Sequence, residues 1–158
     1  MSQQQEEKTL IIIKPDAIQR SLFGEILGRF ERKGLKIIGM KMIKIEDVVV
    51  EEHYEHLKEK PFFQTLKNYM QSSPVVAMVL SGVNAISATR LIVGPTKGYE
   101  ADAGSIRGDL SLSMQSNLVH ASDGPETAEK EVKRFFKEEE LFDYKKTDYK
   151  LVYSEDHF

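Results

Sequence analysis

Two short, unbroken apolar runs constrain this chain more than any other feature: Leu10-Ile11-Ile12-Ile13 and Val75-Val76-Ala77-Met78-Val79-Leu80. Both fall far short of the roughly 20 apolar residues needed to cross a bilayer, and their β-branched content reads as buried strand. The first run stops at Lys14-Pro15-Asp16, because proline has no N–H to give a ladder, and this leaves Lys14 at a strand end.

Elsewhere the apolar spacing turns helical. Leu22, Phe23, Ile26, Leu27 and Phe30 mark one helix face, with Gly34 as its stop. Residues 35–45, rich in Ile and Met, predict a second strand with a bulge at Gly39. Val50, Tyr54 and Leu57, then Phe62, Phe63, Leu66, Tyr69 and Met70, predict two helices split by Pro61. Another helix is expected over 83–93, a short strand over 117–120, and a last helix opening at Pro125 with Ala128, Val132, Phe135 and Phe136 on one face. Residues 94–115 show no sustained period and hold Gly94, Pro95, Gly98, Gly104 and Gly108; a structureless stretch of that length inside a compact domain points to function. The final twenty residues mix charge with aromatics and predict no particular element. This order suits either a parallel α/β sheet or a split ferredoxin-like sandwich.

At 158 residues the chain makes one domain, 1–158, large enough to bury a core without staples. It has no cysteine, which excludes thiol nucleophiles, redox pairs and Cys-ligated metals. The formal charge of −3 weighs against a long polyanion as main partner, so there is no strong case for nucleic acid. The polar start, Met1 to Lys8, lacks the pattern of a secretion or transit signal; the expectation is a cytoplasmic protein with residues 1–6 frayed.

Neither GxxxxGK[ST] nor a GxGxxG after a strand occurs, so any phosphate must be met by scattered side chains such as Lys14, Arg90 and Arg107. His53 and His56 lie in Glu51-Glu52-His53-Tyr54-Glu55-His56, which lacks HExxH spacing and reads as a solvated helix face; His157 is in the tail. His120 differs, because it ends a short apolar strand just before Ala121-Ser122-Asp123-Gly124-Pro125. A lone histidine there is ordinarily structural, with Asp123 or Gly124 capping the next helix. A neutral imidazole is nonetheless a competent nucleophile near pH 7 if something orients it, and Ser122 or Glu131 is placed to do so; the plainer reading of Glu131 is a surface charge.

Asn117-Leu118-Val119-His120-Ala121-Ser122-Asp123 resembles the active-site signature of nucleoside diphosphate kinases. Matching blocks run in order along the chain: Ile13-Lys14-Pro15-Asp16-Ala17, Lys60-Pro61-Phe62-Phe63, Ser73-Pro74-Val75-Val76, Arg90 ahead of Gly94-Pro95-Thr96, and Gly104-Ser105-Ile106-Arg107-Gly108-Asp109. The resemblance implies a ferredoxin-like α/β sandwich, a four-stranded antiparallel sheet with helices packed on it. It also implies ping-pong transfer of a γ-phosphoryl group from nucleoside triphosphates to diphosphates through His120. By the same resemblance Arg90, Thr96 and Arg107 match phosphate ligands, Lys14 and Asn117 hold the sugar hydroxyls, and Tyr54 lies with Lys14 near the transferring group. Phe62 matches the base-stacking residue, flanked by Leu66 and Met114, with broad base specificity as the consequence. Mg2+ would arrive on nucleotide phosphates, and the assembly would be a homo-oligomer, hexamer or tetramer. Three departures stand out: Ala121 where many members have glycine, a loosely similar tail, and Gly98 where the family often has proline in a stretch contributing to subunit contacts. The rivals are an RNA-binding module, which lacks the RNP1 aromatics, and a silent scaffold on the same fold.

Overall fold

The computed structural model describes residues 6–154. The first apolar run forms β1 (Glu7–Ile13), and Pro15 does more than end it. It opens a short helix, α1 (Pro15–Gln19), at a position where a missing N–H costs no hydrogen bond. The next helix, α2 (Phe23–Lys33), buries Ile26 and Phe30 and stops at Gly34, whose φ of 100° is a left-handed turn that glycine takes without steric penalty. β2 (Lys36–Ile43) follows, its register shifting between Ile37 and Gly39 as the sequence predicts.

The patterns around Pro61 form α3 (Asp47–His53) and α4 (Phe63–Met70), joined through a 3-10 turn at Glu55–Leu57. β3 (Val75–Gly82) and α5 (Ala85–Val93) come next. The stretch 94–115 is not structureless, as expected from its lack of period, but holds a 3-10 turn at Gly98–Glu100 and a helix, α6 (Ile106–Leu110). β4 (Val119–Ala121) and α7 (Pro125–Phe135) complete the core, and the tail adds a 3-10 turn at Glu138–Glu140 and α8 (Tyr149–Val152).

The strands order as β2-β3-β1-β4, with every neighbouring pair antiparallel. That is the ferredoxin-like sandwich, and it removes the parallel alternative. Both faces are covered. Ile11, Ile13, Val76, Met78 and Leu80 pack on Ile26 and Phe30 of α2 and Ala85 and Val93 of α5. Leu10, Ile12, Val75, Ala77 and Val79 pack on Val50, Met70, Val132 and Phe135 from α3, α4 and α7. Double coverage is why the central strands β1 and β3 read as unbroken apolar runs instead of alternating ones.

Register then places the histidine. In the β1–β4 pair His120 lies opposite Ile12, so its side chain shares the face of α3 and α7, while Val119 and Ala121 are buried against the other face. Of the stretch 1–6, residues 1–5 lie outside the described residues. Glu6 pairs with Lys36 at 3.1 Å and accepts from Ser81 Oγ at 2.8 Å, so it is held and not frayed. Among the described residues no helix is long and apolar enough to cross a membrane.

Candidate active site

Leu118 turns the chain into the site. Its φ of 75° is left-handed, a conformation that costs a branched residue roughly 1–3 kcal/mol and needs support from its surroundings. Two bonds supply it: Leu118 N–H donates to Asp16 Oδ2 at 3.0 Å, and its carbonyl accepts from Lys14 N at 2.9 Å. The second oxygen of Asp16 takes the Tyr69 hydroxyl. The turn lets Asn117 and His120 face the same cavity although Leu118 and Val119 are buried in the core. Asp16 is thus an organiser that the sequence analysis passes over.

Asn117 is itself buried, with three of its four hydrogen-bonding positions in use. Its Oδ1 accepts from Lys14 Nζ at 2.7 Å, and its Nδ2 donates to the carbonyls of Thr96 at 2.9 Å and Met114 at 2.8 Å. Arg107, only 4% exposed, donates to three carbonyls: Asn117 at 3.2 Å, Gly94 at 3.0 Å and Val119 at 2.6 Å. A guanidinium has five N–H groups, so this staple of the long loop still leaves donors for a ligand. Burial, with Arg90 adding, pushes Arg107 down to about 10, which leaves it charged at neutral pH. Burial lowers Lys14 further, to about 7, with Arg107 reinforcing the shift and Asp16 opposing it.

His120 is held by one carboxylate. Its Nε2 lies 2.6 Å from Glu131 Oε2, and a carboxylate oxygen accepts, so Nε2 carries the proton and the neutral ring keeps its lone pair on Nδ1. Glu131 is 3% exposed, which overturns the surface-charge reading. His53 is likewise not on a solvated face. It is buried, with Nδ1 3.3 Å from the same Glu131 Oε2 and its ring centroid 4.6 Å from that of His120. The signal for this is in the sequence: Val50, His53 and Tyr54 fall at i, i+3 and i+4, one buried helix face. Burial above all, then the His120 and Arg134 charges, holds His53 well below the ordinary imidazole range. His56 is exposed, and His157 lies outside the described residues.

These groups open onto one cavity of about 790 Å3. Every expected site residue except Ser122 lines it: the polar set Lys14, Arg90, Thr96, Arg107 and Asn117, the pair His120 and Glu131, and Tyr54, Phe62, Leu66 and Met114. Arg90 reaches the carbonyl of Ala121 at 3.4 Å. The Tyr54 hydroxyl is buried without a hydrogen-bond partner, and burial raises its pKa, so it stays a neutral donor. Phe62 is 43% exposed at the start of α4, whereas Leu66 is 7% exposed and belongs to the core as well. Ser122 departs from expectation: its hydroxyl bonds the main chain of Leu10, accepting at 3.2 Å and donating at 3.5 Å, so it ties the end of β4 to β1 instead of orienting the ring.

The chain matches the family model described as nucleoside diphosphate kinase over residues 7–141. It is 53% identical to a nucleoside diphosphate kinase of Parabacteroides distasonis, covering 96% of this chain and 99% of the relative. It is 49% identical to one from Archaeoglobus fulgidus, covering 94% and 99%. Among solved structures, the halophilic enzyme of Halobacterium salinarum in complex with CDP superposes with a TM-score of 0.92 at 38% identity, covering 94% of this chain and 99% of that one. A family protein from Babesia bovis gives 0.90 at 41% identity, covering 93% and 99%. Agreement of this extent, in sequence and in shape alike, means that the chain belongs to the nucleoside diphosphate kinase family and is a phosphotransferase.

Proposed function

We propose that the chain moves the γ-phosphoryl group of a nucleoside triphosphate to a nucleoside diphosphate through a phosphohistidine on His120. The observation that carries this is the 2.6 Å bond from Glu131 to Nε2, at the wall of a cavity furnished with cations. Nδ1 attacks the γ-phosphorus, the bond from that phosphorus to the β-bridging oxygen breaks, and the diphosphate leaves with the electron pair. The ring gains positive charge as the N–P bond forms, and Glu131 offsets that charge without taking the proton. A second diphosphate then reverses the step, so one pocket serves donor and acceptor in turn.

Arg90, Arg107 and Thr96 bind the phosphate oxygens, where neutralisation and positioning supply nearly all of the catalysis. Lys14 and Asn117 take the sugar hydroxyls, and Tyr54 offers its unpartnered hydroxyl near the transferring group. Phe62 presents an exposed ring for the base, with Leu66 and Met114 beside it, and stacking tolerates every base. The complex of the Halobacterium salinarum relative with CDP supports a diphosphate in this cavity. Ser122 contributes by holding the end of β4 in place.

The cavity fits Mg2+ only as an ion carried by nucleotide phosphates. Lys14, Arg90 and Arg107 supply cations to its wall, Glu131 is committed to the histidines, and Asp123 is an exposed carboxylate on the wall able to accept from an ion-bound water. When bound, the ion neutralises phosphate oxygens. The chain acts in the cytoplasm as a homo-oligomer, hexamer or tetramer. The exposed Met40 and Met42 on edge strand β2 support association.

Incubation with a nucleoside triphosphate and Mg2+, without acceptor, tests the mechanism by intact mass. One acid-labile, alkali-stable phosphoryl group is expected, absent from His120→Ala. A modified fraction persisting in His120→Ala rejects this nucleophile.

A further inference from the structure

We propose that His53, His120 and Glu131 form a binding site for a borderline-soft divalent cation such as Zn2+, and that its occupancy turns His120 off. Each residue offers a ligand atom within 4.8 Å of the other two. Glu131 Oε2 is 2.6 Å from His120 Nε2 and 3.3 Å from His53 Nδ1. In a tetrahedral zinc site with bonds of about 2.0–2.1 Å, neighbouring ligands sit about 3.3 Å apart, so the Glu131–His53 pair already has that spacing and the Glu131–His120 pair must open by well under 1 Å. His53 and Glu131 are buried, and each keeps a second polar atom, His53 Nε2 and Glu131 Oε1, without a hydrogen-bond partner. The His120 side chain is 22% exposed and lines the cavity, which gives the ion its access and its fourth position for water.

The surroundings select the kind of ion. Arg134 Nη1 lies 3.2 Å from His53 Nδ1, so a cation already competes for that nitrogen. An ion that gains chiefly from charge and oxygen ligands, as Mg2+ does, is disfavoured, whereas Zn2+ gains from two imidazoles. Arg134 keeps a partner if displaced, because Glu52 Oε1 is 3.0 Å from its Nε.

Occupancy changes the tautomer. A metal on Nε2 takes up the electron pair there, so the ring stays neutral and its one proton moves by way of solvent, with no net release, from Nε2 to Nδ1. No lone pair remains there to attack phosphorus. This consequence rests on the phosphohistidine reading, whereas the site itself does not.

The test uses the full, nucleotide-free chain titrated with Co2+ alone, followed by the visible absorption of tetrahedral cobalt. One equivalent should give the band, and Zn2+ should abolish it by competition. His53→Gln and Glu131→Gln should each weaken binding at least about tenfold, as losing a ligand should cost no less than losing its supporting partner. His56→Gln should leave the band intact. No band in the native chain, or equal affinity in His53→Gln, overturns the site. Should those variants fail to fold, a native crystal soaked in Zn2+ decides: an anomalous peak bonded to all three residues supports the site, and a peak only elsewhere rejects it. Zn2+ added before the triphosphate should block the phosphoryl mass gain, with a chelator restoring it. Unaffected phosphorylation with the site occupied rejects the switch. Absence of phosphorylation without zinc rejects the phosphohistidine reading, and the cobalt band still decides the site.

Discussion

Lys14 Nζ donates to Asn117 Oδ1 at 2.7 Å, joining the end of β1 to the loop before β4, with both side chains buried. The same burial holds the amine at about 7 against an ordinary 10.5. In that interval the unfolded chain binds a proton that the folded chain does not, so stability rises with pH from about 7 toward 10.5, and the buried charge is most costly below 7. Urea midpoints measured across this window should climb in the native chain from this source, and Lys14→Met should flatten the climb. An unchanged slope in Lys14→Met would assign the effect to other groups.

Nucleotide binding should reverse that shift. A phosphate or ribose oxygen near Nζ favours the charged amine, so at pH 8, where the free amine is mostly neutral, binding should take up about one proton. Uptake should shrink toward pH 6, where the amine is already charged. Calorimetry in two buffers of different ionisation enthalpy reads it, and Lys14→Met should remove it.

The strands and the longer helices are legible in the sequence because their burial repeats over several turns or residues. α1 and α6 are not, since five residues each show no period; Pro15 and Ser105, whose hydroxyl accepts the Gly108 N–H at 3.0 Å, are their only marks. Within the site, His120 and the cationic set are picked out by the resemblance of their motifs to the family, but three relationships are harder to read. Glu131 lies on the buried face of α7 with Ala128, Val132 and Phe135, where α3 packs, but its charge and its exposed neighbours Glu129, Lys130 and Lys133 disguise that position. His53 hides among Glu51, Glu52 and Glu55 despite its position on the apolar face. The three carbonyls that hold Arg107 come from both sides of the long loop, with no local pattern to announce them.

Replacing Glu131 by Gln keeps the shape and removes the charge that offsets the developing imidazolium. The amide can also donate to the ring, which favours the tautomer with its proton on Nδ1. Phosphorylation of His120 should slow by roughly 10²-fold, a loss of the size seen when acid–base assistance is removed. Rapid-quench formation of the phosphoprotein at saturating triphosphate is the measurement. A rate within about twofold of the native chain would show that the 2.6 Å bond does not govern reactivity.

Phe62 and Leu66, four residues apart, should separate cleanly. Phe62 is an exposed ring on the cavity wall, so Phe62→Ala should weaken all nucleotides alike, by roughly 5- to 150-fold from about 1–3 kcal/mol of lost stacking, with little change in urea midpoint. Leu66 is core, so Leu66→Ala should lower stability by about 2–5 kcal/mol. A binding loss confined to one base in Phe62→Ala would contradict stacking-led recognition.

Gly98 looks in the sequence like an entropic weakness, because glycine widens the unfolded ensemble. The structure reverses the sign. Gly98 is buried, its N–H donates to the Ser113 carbonyl at 3.1 Å, and a Cβ built on it would stand 2.5 Å from the Ser111 carbonyl oxygen. That oxygen is main chain and cannot swing away as a flexible side chain would. Any entropic gain of about 0.4–1 kcal/mol is therefore outweighed by overpacking, and Gly98→Ala should destabilise by roughly 1–3 kcal/mol. Gly98→Pro should cost more, since it also removes the bond to Ser113. Urea unfolding at constant protein concentration reads both, and a raised midpoint in either variant would mean that the loop relaxes away from Ser111.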